Sequence, residues 1–142
     1  MKKSLTLLML AALAAPAAVL ATRAEADAAT PPTQHEVRMV LAGTTYRFEP
    51  ASLTIRSGDR VRFTTASGGP HNVAFDPAKI PDAAEARIAA GMPQQMSPLS
   101  GPFVLNAGDS YTVSFAGVPA GSYEFYCMPH MGVNMKGVVT VQ

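Results

Sequence analysis

The sequence has no tryptophan, a single cysteine and little charge. Charged residues make up 15% of its 142 positions, against about 25% in ordinary globular domains. One cysteine excludes an intrachain disulfide. Neither sign of charge is in excess, with 11 Lys and Arg facing 10 Asp and Glu. That balance removes the basic footprint that nucleic-acid binding requires. No Ser-His-Asp set or carboxylate pair stands out, so no enzymatic chemistry is read from the chain. What is present is 48% apolar content, 12 Pro and 11 Gly. This composition suits one small domain with many turns and excludes a disordered polyelectrolyte.

The N-terminus has the order of an export signal. Lys2 and Lys3 precede an apolar run from Leu5 to Ala21, broken only by Thr6, and small residues follow. The run is too short and too Ala-rich for a membrane span, and Pro16 interrupts it. Residues 1–21 are therefore expected to be removed after Ala21, or alternatively near Ala28. Residues 22–34 read as a flexible tail and 35–142 as the folded domain. Cleavage after Ala21 leaves 9 basic and 10 acidic residues, and cleavage after Ala28 leaves 8 and 8. The mature protein is thus near neutral and monomeric in expectation, exported to a periplasm-like compartment, with no membrane span.

From His35 onward, apolar residues alternate with polar ones. Val37, Met39 and Leu41 fall on one face, Val61 and Phe63 repeat the pattern, and so do Tyr111, Val113 and Phe115. Tyr123 and Phe125 flank Glu124, and Val138 to Val141 alternates again. Period two marks half-buried strands. Ser57-Gly58-Asp59, Asn106 to Asp109 and Pro119 to Ser122 supply turn chemistry between them. The expected fold is all-β, a two-sheet sandwich. A Pro-rich connection from Asp76 to Pro102 breaks the pattern, and within it Asp82 to Gly91 predicts one short helix with Asp82 as its cap.

The chemistry gathers near the C-terminus. Cys127, His130 and Met135 are spaced C-x2-H-x4-M, in a loop between a strand ending at Tyr126 and one starting near Lys136. His71 lies in Gly69-Pro70-His71-Asn72, at the head of an expected strand from Asn72 to Phe75. In a sandwich these two loops can meet at one end. Two imidazoles, one thiolate and one weak thioether form the donor set of a blue copper site. Thiolate and imidazole serve both Cu(II) and Cu(I), and the soft thioether favours Cu(I). Zinc is the rival metal, but zinc sites rarely recruit a thioether. Met128 and Met131 are rival thioethers, each adjacent in sequence to another ligand. His35 has no company of this kind and reads as an ordinary histidine.

Gly69 to Asp76 and Ser122 to Met135, followed by Lys136 to Val141, resemble the two ligand segments of plastocyanin-type cupredoxins. The resemblance covers about residues 35–142, and pseudoazurins are similar in the C-x2-H-x4-M loop. It implies a Greek-key β-sandwich holding one type 1 copper ion through His71, Cys127, His130 and Met135. It also implies an electron exit at the His130 edge, inside an apolar rim of Gly68, Gly69, Pro70, Pro129, Gly132 and Val133. Asn72 would tie the two ligand loops together near the Cys127 sulfur, and Tyr126 would match a second electron entry. The chain departs from the plant family in lacking an acidic run after the first ligand strand.

The implied function is a mobile one-electron carrier between redox proteins, such as cytochromes or a terminal electron acceptor, that dock at the rim around His130. The alternative is a protein that buffers or delivers copper outside the cytoplasm, with Met92 and Met96 offering thioethers.

Overall fold

A computed structural model describes residues 30–142. The expected signal segment 1–21, both cleavage positions and the tail up to residue 29 lie outside the described residues. The unit described below is Pro31–Gln142.

Eight strands and one helix follow in chain order: β1 (Gln34–Ala42), β2 (Thr45–Glu49), β3 (Ser52–Ile55), β4 (Arg60–Thr65), β5 (Ala74–Phe75), α1 (Asp82–Gly91), β6 (Ser110–Ser114), β7 (Gly121–Tyr126) and β8 (Lys136–Val141). They form two four-stranded sheets, ordered β2-β1-β4-β6 and β3-β8-β7-β5. β1 runs parallel to β4, and β3 runs parallel to β8; the other pairs are antiparallel. The chain changes sheet repeatedly, so sequence neighbours often lie in opposite layers, as the Greek-key expectation requires.

The alternation read from the sequence decides which face is buried. Val37 and Met39 on β1, Phe48 on β2, Val61 and Phe63 on β4 and Val113 on β6 all face inward. Tyr123 and Phe125 on β7 and Val139 and Val141 on β8 face them from the second sheet. Phe125 is the hub. Its ring meets Phe48 edge-on at 4.7 Å and Phe63 edge-on at 5.5 Å between centroids, a geometry the ring quadrupoles favour.

Two local expectations need correction. The first ligand strand is shorter than Asn72–Phe75, because only Ala74 and Phe75 pair with β7. The backbone of Asn72 and Val73 finds other partners. Val73 N–H donates to the Tyr111 hydroxyl at 2.6 Å, and Val73 C=O accepts from Gly101 N–H at 2.9 Å. His71 makes an isolated bridge to Val104. Second, Asp82 is the first residue of α1, not its cap. Pro81 is the cap, and its carbonyl accepts from Ala84 N–H at 2.8 Å. Asp82 and Glu85 in the first turn still suit the helix dipole. Ala84 and Ile88 bury the helix against the core.

Candidate metal centre

The first ligand loop leaves β4 and runs through Ser67 to His71. It is pressed tightly against the 104–105 segment: a Cβ on Gly69 would stand 2.4 Å from the Leu105 carbonyl oxygen. His71 is fully buried behind it. Its Nε2 lies 2.8 Å from the Ser67 carbonyl oxygen. A carbonyl can only accept, so Nε2 carries the proton and Nδ1 keeps its lone pair. That lone pair points toward Cys127, with Nδ1 and Sγ 3.7 Å apart.

The second loop leaves β7 at Tyr126, makes a 3-10 segment over Met128–Val133 and returns into β8. Asn134 reverses it in the left-handed conformation, with φ 60°. Backbone bonds close the loop on itself. Cys127 N–H donates to the Met135 carbonyl at 3.1 Å, and Met135 N–H donates to the His130 carbonyl at 3.2 Å. Cys127 and Met135 are fully buried at its root, and His130 is half-buried at its turn. His130 Nδ1 lies 3.4 Å from Cys127 Sγ. The donor atoms of His71, Cys127 and His130 all fall within 4.8 Å of one another.

Asn72 joins the two loops. It is fully buried, and its Oδ1 accepts from Met128 N–H at 2.8 Å. Its Nδ2 donates to Ser100 Oγ at 3.1 Å, and Ser100 Oγ in turn lies 3.0 Å from the Met128 sulfur. Its backbone N–H lies 3.5 Å from Cys127 Sγ. The thioether of Met128 is thus engaged away from the cluster, and Met131 is 56% exposed.

Residues 35–142 match the family of copper binding proteins described as the plastocyanin/azurin family. The chain belongs to that family. It is 39% identical over 117 residues to a plastocyanin of Nostoc punctiforme, covering 80% of this chain and 79% of the relative. It is 41% identical over 96 residues to a plastocyanin of Scenedesmus fuscus, covering 67% of this chain and 86% of the relative. The solved oxidized plastocyanin of the fern Dryopteris crassirhizoma superposes with a TM-score of 0.60 at 29% identity, covering 75% of this chain and 99% of that one. The sandwich is that of a plastocyanin-type cupredoxin, and copper is its cofactor.

The electrostatics of this cupredoxin site fit a soft, partly buried cation. Burial pushes the Cys127 thiol up, while hydrogen bonds from the Asn72 and His130 backbone pull the other way. Burial likewise pushes His71 down, opposed by its bond to Ser67. Burial and the neighbouring His71 push His130 down. Both imidazoles therefore favour the neutral form that can donate a lone pair, and a metal binding here would have to replace the thiol proton. Cys127 is the chain's lone cysteine, buried and free of any disulfide.

Three residues weighed from the sequence fall outside the cluster: His35, Met92 and Met96. His35 is no ligand, but it is not without a partner: its Nε2 lies 3.0 Å from Asp59 Oδ2. Met92 is buried in the core beside α1 and offers no thioether to solvent, whereas Met96 is 60% exposed. The sequence reading missed Tyr46. Its ring stacks on His130 with centroids 3.7 Å apart. The one signal was an aromatic residue at the start of β2, where a strand position gives no hint of the opposite sheet's loop.

Proposed function

We propose that this protein is an exported one-electron carrier, not an enzyme, whose single type 1 copper is held by His71, Cys127, His130 and Met135. The convergence of the three donor atoms within 4.8 Å carries the reading. Met135 is the fourth member on chemistry and place: a buried thioether whose backbone is bonded to both Cys127 and His130. A bound copper supplies reversible one-electron chemistry between Cu(II) and Cu(I).

The chain's own residues supply the rest. The Ser67 carbonyl fixes the His71 ring and its tautomer, so the ligand nitrogen is already aimed. Asn72 ties the cysteine loop to the histidine loop, which would hold the donors in place when a bound ion changes oxidation state. A site that does not rearrange transfers electrons with little reorganisation. The buried side keeps water from the thiolate. The half-buried His130 is the donor nearest solvent, and exposed apolar residues adjoin it in its loop. Of the rim residues, Gly69, Pro70, Pro129, Gly132 and Val133 are exposed and Gly68 is half-buried; Met131 and Leu105 are exposed as well. Redox partners such as cytochromes or a terminal electron acceptor dock there. The N-terminal segment 1–21 directs export to the periplasm, the mature chain acts as a monomer, and among the described residues no helix is long and apolar enough to cross a membrane.

The test is the optical spectrum of the purified protein after addition of Cu(II). An intense visible thiolate-to-copper band, with a reversible midpoint potential, is expected. Cys127→Ser should abolish the band, because a hydroxyl does not replace the thiolate. Met135→Leu should keep the band and shift the potential. Survival of the band in the Cys127 variant would falsify the ligand set.

A further inference from the structure

The outer face of the first sheet gathers four arginines. Val37, Met39, Phe48, Val61 and Phe63 turn inward, so Arg38, Arg47, Arg60 and Arg62 turn outward, and all four are exposed. Register sets them side by side across three strands. Arg47 pairs with Val40, Arg38 lies between Glu49 and Thr64, Arg62 lies between Glu36 and Thr112, and Arg60 lies between Gln34 and Ser114. Glu36 and Glu49 are the only acids among these strands, which leaves the face at +2. Glu49 pairs with Arg47 and Arg38 at 2.5 and 3.7 Å. Among the described residues, neither Arg60 nor Arg62 has a carboxylate within ion-pair reach; Arg62 donates to Ser110 Oγ at 3.0 Å.

Residues 30–142 hold eight cations and eight acids, so the rest of the domain carries −2. Both lysines lie in that remainder and converge on Glu124, at 3.1 and 3.7 Å. A neutral domain is thus polarised, with uncompensated arginine on one sheet face. Arginine is the cation whose planar fork matches a carboxylate in two parallel bonds.

We propose that this face docks the acidic surface of a redox partner protein, side-on to the apolar rim. The inference rests on the electron-carrier reading. Arg47 follows Tyr46, whose ring stacks on His130, so the face meets the metal end at Arg47, and Arg62 and Arg60 extend it along the strands toward the opposite end, where Arg60 pairs with Gln34. The face is about four strands wide and six residues long, roughly 20 Å by 20 Å. An area of that size suits the weak, transient encounters of electron transfer. A lipid surface is the poorer occupant. None of the exposed large apolar side chains belongs to β1, β2, β4 or β6, so nothing on the face wedges into a bilayer.

The experiment is an amide NMR titration of the copper-loaded, reduced protein with poly-L-glutamate at low salt. Shifts are expected at residues of β1, β2 and β4 around Arg38, Arg47, Arg60 and Arg62, and they should vanish as salt is raised. An R60E/R62E double variant should lose about tenfold or more in affinity, and K79E/K136E should not. Phosphatidylglycerol vesicles should leave the same amides unmoved. No binding, binding that survives R60E/R62E, or vesicle binding through this face would each overturn the proposal. The visible band and reversible potential of R60E/R62E are read in parallel. Absence of the band and of a reversible potential from the wild-type protein would instead sink the carrier reading, so the two failures are distinguishable.

Discussion

Tyr46 lies face to face with His130, the ring centroids 3.7 Å apart and the planes 17° from parallel. The contact joins the start of β2 in one sheet to the ligand loop of the other. It covers one face of His130, the half-buried member of the cluster, and it makes Tyr46 part of the wall beside the three donors. Tyr46 also stands edge-on to His71, 6.1 Å between centroids.

The first prediction follows from that stack. Tyr46→Phe should preserve it, since the ring and not the hydroxyl makes the contact. Tyr46→Ala should lose a half-buried aromatic pair, at about 1–3 kcal/mol from area and stacking together. The ring protons of His130 should be shifted upfield by the stacked ring in the wild-type and Phe proteins and should relax downfield in the Ala protein. Identical His130 shifts in all three would show that the rings do not stack in solution. Thermal denaturation measures the stability order.

The bond network around Asn72 gives a ranked pair. Asn72→Ala removes the acceptor for Met128 N–H and the donor to Ser100 and Gly101. Each orphaned buried group costs about 1–3 kcal/mol, so the variant should be the more damaging of the two. Ser100→Ala leaves Asn72 Nδ2 a remaining partner in the Gly101 carbonyl, 3.4 Å away. It should cost only about 1 kcal/mol, yet it frees the Met128 side chain beside Cys127. With copper bound, a changed charge-transfer band in Ser100→Ala, together with near-normal stability, is the expected signature. Equal stability loss in both variants would contradict the ranking. Denaturant titration and the visible spectrum together decide it.

The two-sheet fold was legible because period-two alternation survives in nearly every strand. Val61-Arg62-Phe63 and Tyr123-Glu124-Phe125 could be nothing else. The meeting of Cys127 and His130 was legible because they lie three residues apart in one loop. His71 needed the fold, but Pro70 before it and Asn72 after it marked the segment. Three features were not legible. The backbone of Asn72 and Val73 bonds to a tyrosine hydroxyl and a distant loop, and propensity says nothing about such partners. The Tyr46 stack depends on how one sheet's edge meets the other's loop. The arginine face was half visible, since alternation turns Arg60 and Arg62 outward. Only the parallel pairing of β1 with β4 sets them beside Glu36 and Arg38, and net charge near zero hides the separation.

Gly91 ends α1 against β6. A Cβ there would stand 1.8 Å from the Ser114 carbonyl oxygen. Two effects of Gly91→Ala oppose each other. Helix propensity favours alanine by up to about 1 kcal/mol. The clash is with backbone, which cannot rotate away as a side-chain tip can, and overpacking of this kind costs about 1–3 kcal/mol or more. The clash should win, and the melting temperature should fall by several degrees. A rise in melting temperature would mean that α1 moves freely off the sheet.

Asp59 is the last test and carries the pH dependence. It is almost fully buried at the end of the sandwich away from the ligand loops. β1 runs about 30 Å from Gln34, beside it, to Ala42, near the metal end. Burial raises the carboxyl's pKa. The hydrogen bond with His35, the Thr33 and Arg56 backbone N–H groups and the Arg56 charge more than offset this and hold it at about 2. Thr33 N–H donates at 2.8 Å and Arg56 N–H at 3.0 Å. The folded value lies below the unfolded one, so the folded state binds its proton later. The stabilisation is therefore full above about pH 4 and is lost as pH falls toward 2, roughly 2–3 kcal/mol in all. Asp59→Asn should lose a similar amount at neutral pH and should flatten the stability profile between pH 4 and 2. The measurement is denaturant unfolding across that range for both proteins. Parallel profiles would show that the acid sensitivity arises elsewhere, since removing the group must remove its share of the slope.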